Sequence, residues 1–320
     1  MLYTAVETVE LNTALGQSNT VNVLGTVSGG TTTVNGGDLA AAVDTITVTT
    51  TGDDSHETIN ALAGSDSVTI LATGTDGTDP HIADDNALGS FLVVNGGDEV
   101  VPAGDTIILQ QNGLASRVRL DGEDGRDRFE IWNTATDSET DVLGRAHNDI
   151  IHIGNPQPGS RTLDGILGEI CVDGGDHEDQ LGDPTHAELE IKGEMSGRLF
   201  VGDTLVFNDH DDNTADNQYD LAADQFQRTG TAPVLYTAVE TVELNTALGQ
   251  SNTINVLGTV AGGTTTVNGG DLATAVDTIT VTTTGDDSHV TINALAGSDS
   301  VTILATGTDG TDPHNADGDN

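Results

Sequence analysis

Asn35-Gly36-Gly37-Asp38-Leu39-Ala40-Ala41-Ala42-Val43-Asp44-Thr45-Ile46-Thr47-Val48 is the stretch whose reading decides the fold. It opens with Asn, Gly and Asp, residues that make turns. It closes with a short β-branched run, apolar at every second place, which makes a strand. The phrase returns as Asn95-Gly96-Gly97-Asp98 followed by Gly104-Asp105-Thr106-Ile107-Ile108. It returns again as Asp173-Gly174-Gly175-Asp176-His177-Glu178-Asp179-Gln180-Leu181. A related form is Gly122-Glu123-Asp124-Gly125-Arg126-Asp127-Arg128-Phe129, with shorter echoes at Gly64-Ser65-Asp66-Ser67-Val68 and Gly202-Asp203-Thr204-Leu205.

Working outward, strand-like pieces recur close to every twelve residues. Val9-Glu10-Leu11, Val21-Asn22-Val23, Ile46-Thr47-Val48, Val118-Arg119-Leu120 and Ile151-His152-Ile153 are examples. Period-two strands with frequent turns predict an all-β fold. Even spacing predicts a parallel β-solenoid with Gly/Asp-rich turns, in which each coil buries its face on the next. Tandem β-sandwich domains are the alternative. The one segment with helical character is Tyr219 to Phe226.

At a larger scale the chain duplicates itself. Leu2-Tyr3-Thr4-Ala5-Val6-Glu7-Thr8-Val9-Glu10-Leu11 recurs as Leu235 to Leu244, and the match runs almost unbroken to the C-terminus. Residues 1–234 read as one full repeat unit and 235–320 as the truncated start of the next, so an excerpt of a longer array is expected. The differences carry information. Val21/Ile254 keeps a β-branched apolar residue, as an interior slot would. Glu57/Val290 swaps a charge for an apolar group, which predicts exposure.

Composition narrows the function. Of 320 residues, 52 are acidic and 9 are Lys or Arg, a formal charge of −43. Phosphate binding needs a basic surface, so nucleic acid is excluded as a partner. A polybasic membrane anchor is excluded too, and no apolar run is long enough to insert in a membrane. Bound divalent cations or high salt must offset the self-repulsion. Aromatics make up 3%, which suits a stack of thin aliphatic layers. Cys171 is the only cysteine and reads as a small buried hydrophobe. Without disulfides, metal ions would be the staple of an extracellular chain.

The Gly-Gly-Asp phrases resemble the hemolysin-type RTX calcium-binding repeats, G-G-x-G-x-D-x-U-x with U apolar. More closely, the chain looks like the giant repetitive surface proteins of some marine bacteria. Gly202-Asp203-Thr204-Leu205-Val206-Phe207-Asn208-Asp209 and Tyr236-x-x-Val239-Glu240-Thr241-Val242-Glu243-Leu244-Asn245 carry most of that likeness. The resemblance implies calcium between adjacent turns, held by glycine-turn carbonyls and Asp carboxylates. Candidate ligands are Asp38, Asp44, Asp98, Asp105, Asp124, Asp127, Asp176 and Asp179. The pattern departs from the family's: Glu123 and His177 stand where glycine is expected, insertions follow Asp38 and Asp98, and Asn19 and Asn252 replace Asp. The bland alternative is that these carboxylates bond local backbone N–H groups. A second acidic cluster places Asp209, Asp211, Asn213 and Asp220 at the one, three, five and twelve positions of an EF-hand loop, with Thr214 where that loop wants Gly.

The expected function is a non-catalytic structural or adhesive repeat module of a secreted or cell-surface protein, rigidified by calcium. Its partners would be neighbouring repeats of the same array and a surface polysaccharide or another cell-surface protein. The rival reading is a calcium-dependent carbohydrate-active parallel β-helix, lyase-like, or a carbohydrate-binding module. For that rival the nearest residues are Arg117, Arg119, Arg126 and Arg128 beside Asp121, Asp124 and Asp127. Ice binding through Thr-x-Thr rows such as Thr45 to Thr51 is a third reading, short of rows.

Overall fold

The computed structural model describes residues 6–75, 90–98, 104–176, 202–214 and 217–308. It is an all-β parallel solenoid. The first coils alternate β1 (Thr8–Asn12), β2 (Thr20–Val23), β3 (Thr31–Asn35), β4 (Thr45–Val48), β5 (His56–Asn60), β6 (Ser67–Ile70), β7 (Phe91–Asp98) and β8 (Thr106–Leu109). They continue through β9 (Arg117–Asp124), β10 (Arg128–Ile131), β11 (Glu139–Ala146), β12 (Ile150–Ile153), β13 (Glu169–Asp176) and β14 (Thr204–Asn208). A meander follows: β15 (Asn217–Leu221), β16 (Gln225–Arg228) and β17 (Val234–Thr237). Regular coils resume with β18 (Thr241–Asn245), β19 (Asn252–Val256), β20 (Thr264–Asn268), β21 (Thr278–Val281), β22 (His289–Asn293) and β23 (Ser300–Ile303).

Among the described residues the strands form two sheets, and the regular coils alternate between them. One has thirteen strands, starting β1-β3-β5-β7-β9-β11-β13, and the other ten, starting β2-β4-β6-β8-β10-β12-β14. A full coil is 22 residues where the turns are tightest, since Thr45 pairs with Ser67, Thr106 with Arg128, and Arg128 with Ile150. The twelve-residue rhythm is therefore half a coil. Inward residues stack in register. Ile46, Val68, Ile107, Phe129, Ile151 and Leu205 are 0% exposed and form one such row. Each buried aliphatic side chain contributes about 1.5–3 kcal/mol.

The meander corrects the helical expectation for Tyr219 to Phe226. These residues form an antiparallel hairpin, Tyr219 opposite Arg228 and Leu221 opposite Phe226. Strand β17 returns to pair in parallel with β13, and β15 pairs with β19. Aromatic rings join the aliphatic core here. Phe207 and Phe226 stack with centroids 3.9 Å apart, and Tyr236 lies 6.4 Å from Phe207.

The array changes phase from one copy to the next. Identical segments Thr8–Asn12 and Thr241–Asn245 are β1 and β18; the first lies in the thirteen-stranded sheet and the second in the ten-stranded one. The two copies thus present the same strands on opposite sides.

Two expectations about the interior need correction. Glu57 is 2% exposed, not a surface residue. It points inward from β5, its carboxyl accepts from Thr26 Oγ1 at 2.5 Å, and burial pushes its pKa up. Val290 in the second copy fits the same slot because the slot is interior. Cys171, in contrast, sits half-buried at an outward position of β13, in register with Asp141 and Leu235. Burial, and then the nearby carboxylates, push its thiol up to about 11.

Candidate functional site: a buried aspartate column

Seven strands of the ten-stranded sheet, β4, β6, β8, β10, β12, β14 and β18, are each preceded by an acid, and these acids stack. The backbone N–H of Asp44 donates to Oδ1 of Asp66 at 2.6 Å, and that of Asp66 to Asp105 Oδ1 at 2.6 Å. Asp105 donates to Asp127 Oδ1 and Asp127 to Asp149 Oδ1, both at 2.7 Å. Asp149 donates to Asp203 Oδ1 and Asp203 to Glu240 Oε2, both at 2.8 Å. Asn19 joins at the other end through Asp44 Oδ1 at 2.6 Å. Each side chain so caps the strand entrance of the preceding coil, where a backbone donor would otherwise be buried without a partner.

The second carboxylate oxygen is the unusual part. Oδ2 of Asp66, Asp105, Asp127, Asp149 and Asp203 is buried and accepts no hydrogen bond. These residues are 0–3% exposed. Desolvation raises their pKa values to about 6 for Asp66, 8 for Asp105, 7 for Asp127, 9 for Asp149 and 7 for Asp203. The backbone hydrogen bonds oppose that rise, and neighbouring carboxylates add to it. At the end of the column Asp44 differs: its Oδ2 accepts from the Gly37 N–H.

The glycines of the recurring phrase make room for this column. A Cβ on Gly96 would stand 2.5 Å from Asp105 Oδ2 and 2.6 Å from the Gly122 carbonyl oxygen. Gly122, Gly144 and Gly174 face Asp127, Asp149 and Asp203 in the same way. Gly96→Ala is accordingly expected to cost about 2 kcal/mol as an overpacked site. A denaturant midpoint unchanged from the parent chain would refute that.

The structure therefore divides the twelve candidate ligands. Asp44, Asp105 and Asp127 stand in the column. Asp38, Asp98 and Asp124 are exposed, the last two at in-register strand ends. Asp176 ends β13 and pairs with Ala146, which pairs in turn with Asp124. Asp179 lies outside the described residues. Asp209, Asp211, Asn213 and Asp220 do not form an EF-hand. Asp209 is fully buried and takes both oxygens to Arg228 Nη1, at 2.8 and 2.9 Å, with Tyr219 OH donating at 2.7 Å. Asp211 pairs with Arg161 at 2.9 Å, and that guanidinium holds its carboxyl far below the ordinary range. Asn213 is exposed, and Asp220 lies on β15, bonded to Gln218 and Asn255. Two arginines satisfy the first two acids, and a strand carries the last one away.

Asp66, Asp149, Asp203 and Glu240 belong to the column and were not among the candidate ligands. The signal for Asp149 was its spacing, 22 residues beyond Asp127, itself 22 beyond Asp105. A second ladder, of hydroxyls, has the same 22-residue spacing, Thr51-Gly52 then Thr73-Gly74, and likewise was not among the candidates. On the opposite rim Thr51 Oγ1 accepts from the Gly74 N–H and Thr73 Oγ1 from the Gly113 N–H, both at 2.7 Å. In the second copy the acid column changes rim with the phase shift: Asn252 donates to Asp277 and Asp277 to Asp299, now ahead of strands in the thirteen-stranded sheet.

The arginine cluster of the carbohydrate-active reading is split between two faces. Arg119 and Arg145 pair with Asp121 at 2.7 and 2.8 Å on the outer side of the thirteen-stranded sheet. Arg128 pairs with Glu130 at 2.8 Å on the ten-stranded one.

Fold and column together define an acidic parallel β-solenoid built from internal repeats. No protein-family model matches the chain, and no curated protein or solved structure is significantly similar to it.

Proposed function

We propose that the chain is a structural repeat module of a secreted or cell-surface protein, a stiff acidic rod for extension, spacing or surface contact, with no catalysis of its own. The observation that supports this reading is the seam between repeats. Strands β17 and β18 of the second copy pair directly onto β13 and β14 of the first. Repeats joined this way lengthen one rod instead of forming beads on a linker.

Calcium is the proposed staple, and the column has chemistry that suits it. Five acceptor oxygens without donors stand beside glycine turns whose carbonyls are hard oxygen ligands. Among the described residues no three His, Cys, Asp or Glu side chains converge as a metal ion would need. A cation here would thus use carboxylates of two adjacent coils, such as Asp105 and Asp127, and complete its shell from turn carbonyls. It would act by linkage, binding the folded column and not the unfolded chain.

Small-angle scattering and thermal melting of the 320-residue chain, with millimolar calcium and with chelator, test both parts. A rod-shaped particle whose melting temperature rises with calcium and not with magnesium is the expected result. A rod equally stable in chelator removes calcium and leaves the spacer. A collapsed or flexible particle in both removes the spacer.

A further inference from the structure

The charge of −43 is not spread evenly. The ten-stranded sheet has outward positions Thr20/Asn22, Thr45/Thr47, Ser67/Thr69 and Thr106/Ile108 on its first four strands. Further along come Ile150, which is 42% exposed, then Thr204, Thr264/Thr266 and Thr291. Charged residues at outward positions of this sheet are few: Arg128 and Glu130, which pair with each other, and Glu243. The opposite sheet differs in its middle coils, where Arg117, Arg119, Asp121, Glu139, Asp141 and Glu169 point outward. Many of the remaining acids lie in the turns, among them Asp38, Asp53, Asp54 and Asp137. The rod is a plank with acidic rims and one long, nearly neutral face.

We propose that this face is a self-association surface, occupied by the same face of a second copy of the chain. Charge supports a like partner. Two such chains repel almost everywhere, and least where a Thr/Ile face meets its equivalent. Area supports it too. Ten strands about 4.8 Å apart, each about four residues of 3.3 Å, cover roughly 600 Å². Two such faces give roughly 1,200 Å² in total, above the roughly 1,000 Å² expected of a specific interface. Packing is sheet on sheet, about 10 Å between planes, with threonine methyls and Ile108 and Ile150 interdigitating. The contact is isologous, so a pair closes on itself.

The acidic rims then govern when it forms. Rim carboxylates of the two copies run alongside each other, and their repulsion reaches about 10 Å at 0.1 M salt and about 3 Å at 1 M. Association therefore strengthens with salt, the reverse of a contact made by opposite charges.

Sedimentation velocity of the full chain at about 0.1 M and about 1 M salt is the test. The expected result is a monomer–dimer equilibrium at least roughly tenfold tighter at the higher salt. Ile108→Glu and Thr266→Glu, each at a half-buried outward site with circular dichroism checking the fold, should return the chain to monomer at about 1 M salt. Thr280→Glu, outward on the other sheet, should leave the dimer intact. A monomer at both salts overturns the proposal. So does a dimer indifferent to both face substitutions, or one that weakens as salt rises.

Discussion

In chelator, the melting temperature of the chain is expected to fall by on the order of ten degrees between about pH 5 and about pH 9. The five column carboxyls ionise near 3.9 in an unfolded chain. In the fold, burial raises them to between about 6 and about 9. A carboxyl with a raised folded value favours the fold fully only below its unfolded value. Its contribution declines as pH rises through that window and is gone above the folded value. The loss begins at all five together and is complete first at Asp66, then at Asp127 and Asp203, then at Asp105, and last at Asp149. One pKa unit is worth about 1.4 kcal/mol, so even a fraction of these shifts outweighs any single surface ion pair.

General repulsion among surface carboxylates has the same sign, so the column must be separated from it. Asparagine does that. It keeps an oxygen to accept the neighbouring N–H and cannot ionise; Asn19 and Asn252 already stand at the ends of the two columns. Asp127→Asn and Asp149→Asn should flatten the pH profile and raise the melting temperature at about pH 9 relative to the parent. Calcium should also recover the parent's midpoint at about pH 9 and do little at about pH 5, where protons already neutralise the column. A parent profile that Asp149→Asn leaves unchanged would mean that surface charge alone sets the pH dependence.

Much of this fold was legible because a solenoid writes its geometry into spacing. The alternation in Asp44-Thr45-Ile46-Thr47-Val48 gives the inward row directly, and the turn phrases mark the rims. Three things were not legible, each for a physical reason. Glu57 looked exposed because a charge there alternates with Val290; its burial depends on Thr26, one coil away, supplying a hydrogen bond. The column looked like a set of separate ion sites because its members are joined across coils, and Asp149 has no glycine pair to announce it. The Tyr219 to Phe226 segment looked helical because Leu-Ala-Ala is a good helix former. Its partners, Arg228 and Val234, come later in the chain and pull it into a hairpin.

The hairpin depends on one cation, and its removal is the second large effect expected. Arg228 is 4% exposed and holds Asp209, Asp212 and Asp164 together; its Nη1 lies 2.8 Å from Asp209 and 3.3 Å from Asp212. Asp209 also accepts from the Leu163 N–H at 2.8 Å, so the cluster ties β14, β16 and the loop ahead of β13 at one point. Arg228→Met leaves two buried carboxylates without a counter-charge and should cost about 3–5 kcal/mol. Burial already pushes Asp209 up to about 6 with the arginine present; without it the carboxyl should stay protonated at neutral pH. Hydrogen exchange should locate the damage. Amides of β15 and β16 should lose protection first, while β3 to β12, joined through their own ladders, keep theirs. Pairing Arg228→Met with Asp209→Leu should recover part of the loss, because the double change removes the stranded charge as well as the bond. A single substitution costing under about 1 kcal/mol would show that the hairpin is held by the Phe207–Phe226 stack and the strand pairing alone.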